Sequence, residues 1–169
     1  MHYNNVEFRY GDIEEMPIQN EVADVMVSNC VLNLVPNKSK VFSEMFRVLK
    51  PGGHFSISDI VLNGTLPENL QEAAGMYVGC VSGAIQKEEY LSFITQAGFE
   101  NVTLQKVKEI TLPPEVIGKY LDEQETASFH ASGAKILSIT VYGEKPGTAE
   151  SKKNNEKEAK SCCGPDCCN

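Results

Sequence analysis

Asn37-Lys38-Ser39-Lys40-Val41-Phe42-Ser43-Glu44-Met45-Phe46-Arg47-Val48-Leu49-Lys50-Pro51-Gly52-Gly53-His54-Phe55-Ser56-Ile57-Ser58-Asp59-Ile60-Val61 is the stretch on which the fold turns. In its first half Val41, Met45, Val48 and Phe42, Phe46, Leu49 recur three and four residues apart. That spacing gathers apolar side chains on one side of an α-helix, so a helix is predicted over 37–49. Lys50-Pro51-Gly52-Gly53 stops it with a cation beside the last carbonyls and two residue types that break helices. His54 to Val61 then reads as a strand. Upstream, Ala23-Asp24-Val25-Met26-Val27-Ser28 is apolar enough to lie inside a sheet. Two strands joined by one helix of this length are expected to pair in parallel, through a right-handed crossover.

Working outward, Val6 to Gly11 reads as a short strand because Val6 and Phe8 alternate with Glu7 and Arg9. Leu66 to Ala84 reads as a helical insert, broken near Gly79 and Gly83. Lys87 to Ala97 is an amphipathic helix with Tyr90, Leu91 and Ile94 on one face, stopped by Gly98. Val102 to Ile110 and Lys135 to Tyr142 read as late strands, with a mixed helical pattern over Pro113 to Phe129. The order β, β-α-β, α-β, β describes an α/β sheet that ends in an antiparallel strand pair. Residues 1–145 form one domain by this reading. From 146 to 169 there is almost nothing to bury, so a disordered, Cys-rich tail is expected.

Composition bounds the function. The 169 residues carry a formal net charge of -8, which excludes a nucleic-acid backbone or an anionic membrane as a natural partner. No apolar run approaches the roughly 20 residues that cross a bilayer. The first residues show neither a basic nor an apolar signal region, which points to the cytoplasm. The six cysteines are unevenly spread. Cys30 and Cys80 stand apart in the body, whereas Cys162, Cys163, Cys167 and Cys168 crowd the tail. A disulfide scaffold would distribute them, so thiolate chemistry or soft-metal binding is indicated instead.

Phe46-Arg47-Val48-Leu49-Lys50-Pro51-Gly52-Gly53 before a strand resembles the corresponding segment of class I S-adenosylmethionine-dependent methyltransferases. Gly11-Asp12-Ile13-Glu14-Glu15-Met16-Pro17 and Ala97-Gly98-Phe99 resemble that family too. Within it, Ser28-Asn29-Cys30-Val31-Leu32-Asn33-Leu34, Tyr77-Val78-Gly79-Cys80-Val81-Ser82-Gly83-Ala84, and Ser132-Gly133-Ala134-Lys135-Ile136 through Tyr142-Gly143 are similar to arsenite methyltransferases. The resemblance covers roughly residues 5–145. It implies a partial Rossmann-like sheet of the order 3-2-1-4-5-7-6 that lacks strands 1 and 2, with strand 3 deprived of its neighbour. Ala23 to Ser28 is accordingly expected as an exposed apolar edge. No Gly-x-Gly-x-x-Gly loop occurs, and a further N-terminal cysteine of that group has no counterpart.

The activity so implied is methyl transfer from S-adenosylmethionine to arsenite held by thiolates, with this chain a fragment or split subunit. A soft, three-coordinate arsenic prefers thiolates to imidazole or carboxylate. Cys30 and Cys80 are the implied catalytic ligands, and Cys30 follows a buried-type strand at its carboxyl end, where open α/β sheets bind ligands. Taken alone, Cys30 reads first as a small buried residue. Asp12, Ile13, Glu14 and Asn29 are the implied cofactor contacts. A solvated acidic turn is the competing reading of the first three, and a cap of the next segment that of Asn29. Asp59 reads as a strand end that faces either the cleft or solvent. Cys162, Cys163, Cys167 and Cys168, with Gly164-Pro165 between the pairs, read as a binding element for arsenite or another soft ion. Arsenite and small thiols are the expected small partners. An N-terminal half or a second copy is the expected protein partner, and S-adenosylmethionine affinity of the chain alone is expected to be weak. Two other functions fit the residues: non-catalytic soft-metal capture, and a methyltransferase-like domain for another small acceptor.

Overall fold

Asn37 caps the first helix: its side-chain oxygen accepts the Lys40 backbone N–H at 3.0 Å, satisfying a donor that the helix itself leaves open. The helix, α1 (Lys38–Val48), then buries Val41, Phe42, Met45 and Val48, the apolar stripe expected from the sequence. The computed structural model describes residues 4–67, 69–70, 74–75 and 81–147. Among these, four strands form one sheet: β1 (Ala23–Asn29), β2 (Leu49–Asn63), β3 (Glu100–Ile110) and β4 (Lys135–Glu144). Their order is β1-β2-β4-β3.

β1 and β2 pair in parallel from Val25↔His54 to Asn29↔Ser58, as the βαβ reading requires. β4 pairs antiparallel to β2 from His54↔Glu144 to Asn63↔Lys135, and β3 antiparallel to β4. The four strands are the α/β sheet with a terminal antiparallel pair that the sequence implies.

Further helices among the described residues are α2 (Lys87–Gln96), α3 (Pro114–Tyr120) and α4 (Glu123–Ser132). Along β2 and β4 alternate residues face opposite sides. Phe55, Ile57, Val61, Leu137, Ile139 and Val141 meet α1 and α2 through Phe42, Met45, Tyr90 and Ile94. Ile60, Leu62 and Ile136 pack on the other side with Leu66, Leu70, Val81, Ile117 and Leu121. The described residues of the predicted helical insert at 69–70 and 74–75 are helical.

Two sequence expectations need correction. Lys50-Pro51-Gly52-Gly53 ends α1, but β2 already starts at Leu49 and carries these residues inside it. The pairing jumps from Ala23↔Leu49 to Val25↔His54 to accommodate them. Gly52 has φ 84°, and a Cβ on Gly53 would lie 2.9 Å from the Asp24 and Lys50 carbonyl oxygens. Glycine is therefore required by a close approach within a strand rather than by a free turn.

The second correction concerns Val6 to Gly11, which forms no strand. Phe8 is 95% exposed, and Tyr10 is as open as in an extended chain. Alternation alone cannot hold a strand whose N–H and C=O groups find no neighbour. Arg9 instead binds Glu7 at 2.6 Å and donates to the Pro17 carbonyl at 3.2 Å.

The two edges of the sheet differ. On β1, Val25 is half exposed and Val27 is 78% exposed, so the expected apolar edge is present. β3 is exposed along almost its whole length but carries Lys106, Lys108 and Glu109, charges that discourage edge pairing. Phe42 ties the layers together, with its ring edge-on to Tyr90 at 5.3 Å and 6.4 Å from Phe55. Phe42→Ala is expected to cost about 3–5 kcal/mol in urea unfolding. A loss below about 1 kcal/mol would show that this contact is not central.

Candidate functional site

β1 ends at Asn29, and the next residue breaks the extended conformation: Cys30 has φ 56°, the left-handed region that non-glycine residues rarely adopt. Two bonds to β2 flank this residue. The Cys30 N–H donates to the Ser58 carbonyl at 2.8 Å, continuing the ladder by one rung. Beyond it a 3-10 turn (Leu32–Leu34) brings Asn33 inward, where its amide donates to the Ile60 carbonyl at 2.7 Å. Strain of this kind persists only where the surroundings over-determine it.

The segment after residue 80 returns to the same end of β2. Leu62 N–H donates to the Ile85 carbonyl at 2.9 Å, and Gln86 forms a parallel bridge with Leu62. The Gln86 side chain also bonds Gly64 through both its N–H and C=O. Within this return Gly83 sits so tightly on the Cys30 turn that a Cβ would overlap the Asn33 carbonyl oxygen. The touching residues, 33 and 83, each lie three positions after one of the two body cysteines. Cys80 itself is outside the described residues, as are Cys162, Cys163, Cys167 and Cys168. Among the described residues, no three His, Cys, Asp or Glu side chains converge as a metal site.

Asp59 lies under the Cys30 turn, on the strand between the two acceptors Ser58 and Ile60. It is 1% exposed and accepts the Tyr90 hydroxyl at 2.8 Å. The expectation of a strand end open to cleft or solvent is thereby corrected: β2 continues four residues further and α2 covers this position. Burial pushes the Asp59 carboxyl up to about 6, against the opposing pull of the Tyr90 hydrogen bond and the Lys38 charge. Lys38 is buried too, its ammonium 3.3 Å from the Val35 carbonyl, and desolvation lowers its pKa. Burial also raises the Tyr90 hydroxyl, assisted by Asp59.

Of the residues implied as cofactor contacts, Asp12 and Asn29 are exposed and Ile13 and Glu14 are half-buried. Asp12 is exposed, its carboxylate accepting the Glu14 N–H at 2.9 Å in a local turn. Glu14 reaches the Asn37 N–H at 3.0 Å, and Ile13 packs against the core. Asn29 is an exposed last residue of β1. The following 3-10 turn has Val31 in its cap position without a side-chain bond, so Asn29 does not cap it. A depression of about 1070 Å³ is lined by Glu7, Arg9, Met16, Glu44 and Arg47 among others. Its floor is structural: Arg47 donates to the Met16 and Ile18 carbonyls and pairs with Glu44 at 2.7 Å.

The methyltransferase-domain family pattern matches residues 1–98. The chain belongs to the class I methyltransferase family. Among its relatives, the arsenite methyltransferase of Halobacterium salinarum is 35% identical over 84% of this chain and 34% of its own length. The human arsenite methyltransferase is 40% identical over 57% of the chain and 26% of its own length. The crystal structure of an arsenic(III) S-adenosylmethionine methyltransferase from Chlamydomonas reinhardtii superposes with a TM-score of 0.62 at 27% identity. It covers 78% of this chain and 42% of that one. The chain thus spans between a quarter and two fifths of the length of these arsenite methyltransferases. For a class I methyltransferase, the meeting of the turn after Cys30 with residues 81–84 falls at the end of the sheet where open α/β sheets take their ligands.

Sequence reading missed Asn33, Lys38 and the Asp59–Tyr90 pair. The available signal was a carboxylate within an otherwise apolar strand opposite a tyrosine on the apolar face of a helix. Because the folded protein holds Asp59 protonated to higher pH than the unfolded chain does, this group lowers stability as pH rises through about 6. Asp59→Asn removes that dependence. Relative to the native protein, the variant should gain on the order of 1–2 kcal/mol between pH 5 and pH 8. Parallel unfolding curves at the two pH values would contradict the burial argument.

Proposed function

We propose that this chain supplies the arsenic-binding part of an arsenite methyltransferase, with Cys30 and Cys80 as the thiolate ligands. The observation that carries the reading is the seating of Gly83 on the Asn33 carbonyl. It ties the turn after Cys30 to the turn after Cys80 at the rim of the sheet. The arsenite methyltransferases among its relatives support the same substrate. Two thiols condense with arsenite, each forming one As–S bond and releasing one water, and leave arsenic pyramidal with its lone pair available. Placing that centre, rather than moving protons, is the contribution of these residues. S-adenosylmethionine, when bound, supplies the electrophilic methyl group. The exposure of Asp12 and Asn29 favours a second reading for the chain by itself, capture of arsenite without methyl transfer. The tail cysteines Cys162, Cys163, Cys167 and Cys168 would add soft-ion capacity in either case.

Calorimetric titration with arsenite tests the ligand assignment in the full-length chain with the four tail cysteines replaced by serine. Cys30→Ser and Cys80→Ser are each expected to weaken binding at least about tenfold, a loss of roughly 1.4 kcal/mol or more. Equal affinity for all three proteins would overturn it. Methyl transfer from labelled S-adenosylmethionine then separates the enzyme from the capture protein.

The apolar edge of β1 supports a strand-adding protein partner, either a second copy or a segment bearing the glycine-rich loop. Sedimentation is expected to show concentration-dependent association of the chain, reduced in Val27→Lys. A native monomer at all concentrations would remove the second-copy alternative.

A further inference from the structure

α4 is a helix with almost nothing to bury. Of its ten residues, Phe129 is the single large apolar one, and no side chain of the helix is fully buried. Its ends are capped instead: Asp122 and Glu125 bond reciprocally at the start, and Gly133 turns the chain with φ 67° at the finish. A helix that packs on a sheet commonly presents about three or four apolar residues over two turns. α4 has too few to fill the space between itself and the ends of β3 and β4. A cavity of about 160 Å³ remains there.

The walls of this cavity are apolar and its mouth is polar. Ile110, Leu112, Ile117, Phe129, Ala134 and Ile136 form the walls, and Leu112, Ile117, Ala134 and Ile136 are buried. At the mouth stand Thr111, His130 and the exposed Glu109–Lys135 pair, joined at 2.8 Å. Each member of that pair already has its counter-charge, so an ionic ligand gains little there. The Thr111 hydroxyl and the His130 imidazole, by contrast, make no hydrogen bond among the described residues, and the imidazole lies 5.4 Å from the Phe129 ring. Apolar walls with a few polar groups at one end are the make-up of a small-molecule site. Close-packed interiors leave few spaces of this size, and an apolar cavity of about 150 Å³ takes a benzene ring.

We infer that this cavity is a binding site for a neutral monocyclic phenol, its ring among Ile117, Phe129 and Ile136 and its hydroxyl at His130 and Thr111. The volume admits one ring and excludes a fused pair. A phenolic hydroxyl both donates and accepts, so it can serve an imidazole nitrogen and a threonine hydroxyl in either sense. Phe129 adds an aromatic contact that an aliphatic alcohol would not gain. None of these residues belongs to the candidate arsenic site, and the inference stands apart from that reading.

Phenol titrated into the full-length chain, followed by the methyl resonances of Ile117 and Ile136, tests the site. Saturable shifts are expected with a Kd on the order of 0.1–1 mM, in keeping with so small a ligand. Toluene should bind about three- to tenfold more weakly, the worth of one hydrogen bond, and 1-naphthol and benzoate should not saturate. His130→Leu should bring phenol down to the affinity of toluene and leave toluene unchanged. Ile110→Trp fills the cavity and should abolish phenol binding, whereas Phe129→Ala enlarges it and should admit 1-naphthol. Shifts that never saturate, or phenol affinity unchanged in folded Ile110→Trp, would overturn the site. Where Ile110→Trp unfolds, folded Phe129→Ala decides: gain of 1-naphthol binding supports the cavity and its absence overturns it. Benzoate binding more tightly than phenol would overturn the neutral class, and native phenol affinity in His130→Leu the role of the imidazole.

Discussion

The ladder on β2 is the constraint from which everything else in this chain follows. Among the described strands it is the one with a parallel neighbour on one side, β1, and an antiparallel neighbour on the other, β4. Its registers place Ser58 opposite Asn29 and opposite Thr140 at once, and a hydrogen bond of 2.9 Å joins the Ser58 and Thr140 side chains. The carbonyls of Ser58 and Ile60 then become the anchors of the Cys30 turn, and the N–H of Leu62 that of the returning loop. Shifting β2 by one residue would carry Asp59 to the opposite face and leave Phe42 and Tyr90 against Ser58 and Ile60. Apolar packing enforces the register, and polar atoms at the strand's end then use it.

Much of this architecture is legible from local chemistry. The α1 stripe, the breaker at Pro51-Gly52-Gly53 and the β-branched run of β4 each depend on near neighbours in the chain, and each element forms. The failures are of another kind. Val6 to Gly11 has the alternation of a strand, but a strand is a relation between two segments, and the sequence pattern of one contains no statement about the other. Lys50 to Gly53 reads as a turn because proline and glycine are the usual means of making one. Here the same residues serve an irregular strand pressed against the Asp24 carbonyl.

Cys30 and Cys80 could be singled out in the sequence as thiols, and the residues after Cys80 do meet the turn after Cys30 where Gly83 rests on Asn33. Nothing local marks Asn33 as the residue that joins those turns, since asparagine after a strand has many uses. Asp59 was misread for a related reason. A carboxylate near the end of an apolar strand is ordinarily at the surface, and only the arrival of α2, with Tyr90 presenting its hydroxyl, makes a buried carboxylate tolerable.

The unequal margins of the sheet limit how this chain can be built upon. Extension beyond β1 meets a valine-bearing border, while extension beyond β3 meets lysines and glutamates that would have to be dehydrated. Recruitment through main-chain pairing is therefore one-sided. Once β1 has been covered, the joined sheet offers a newcomer only the charged margin of β3 or whatever border the recruit brings with it. Where the recruit is a second copy joined β1 to β1, both outer margins are β3, and the assembly closes at two chains instead of propagating into a fibre.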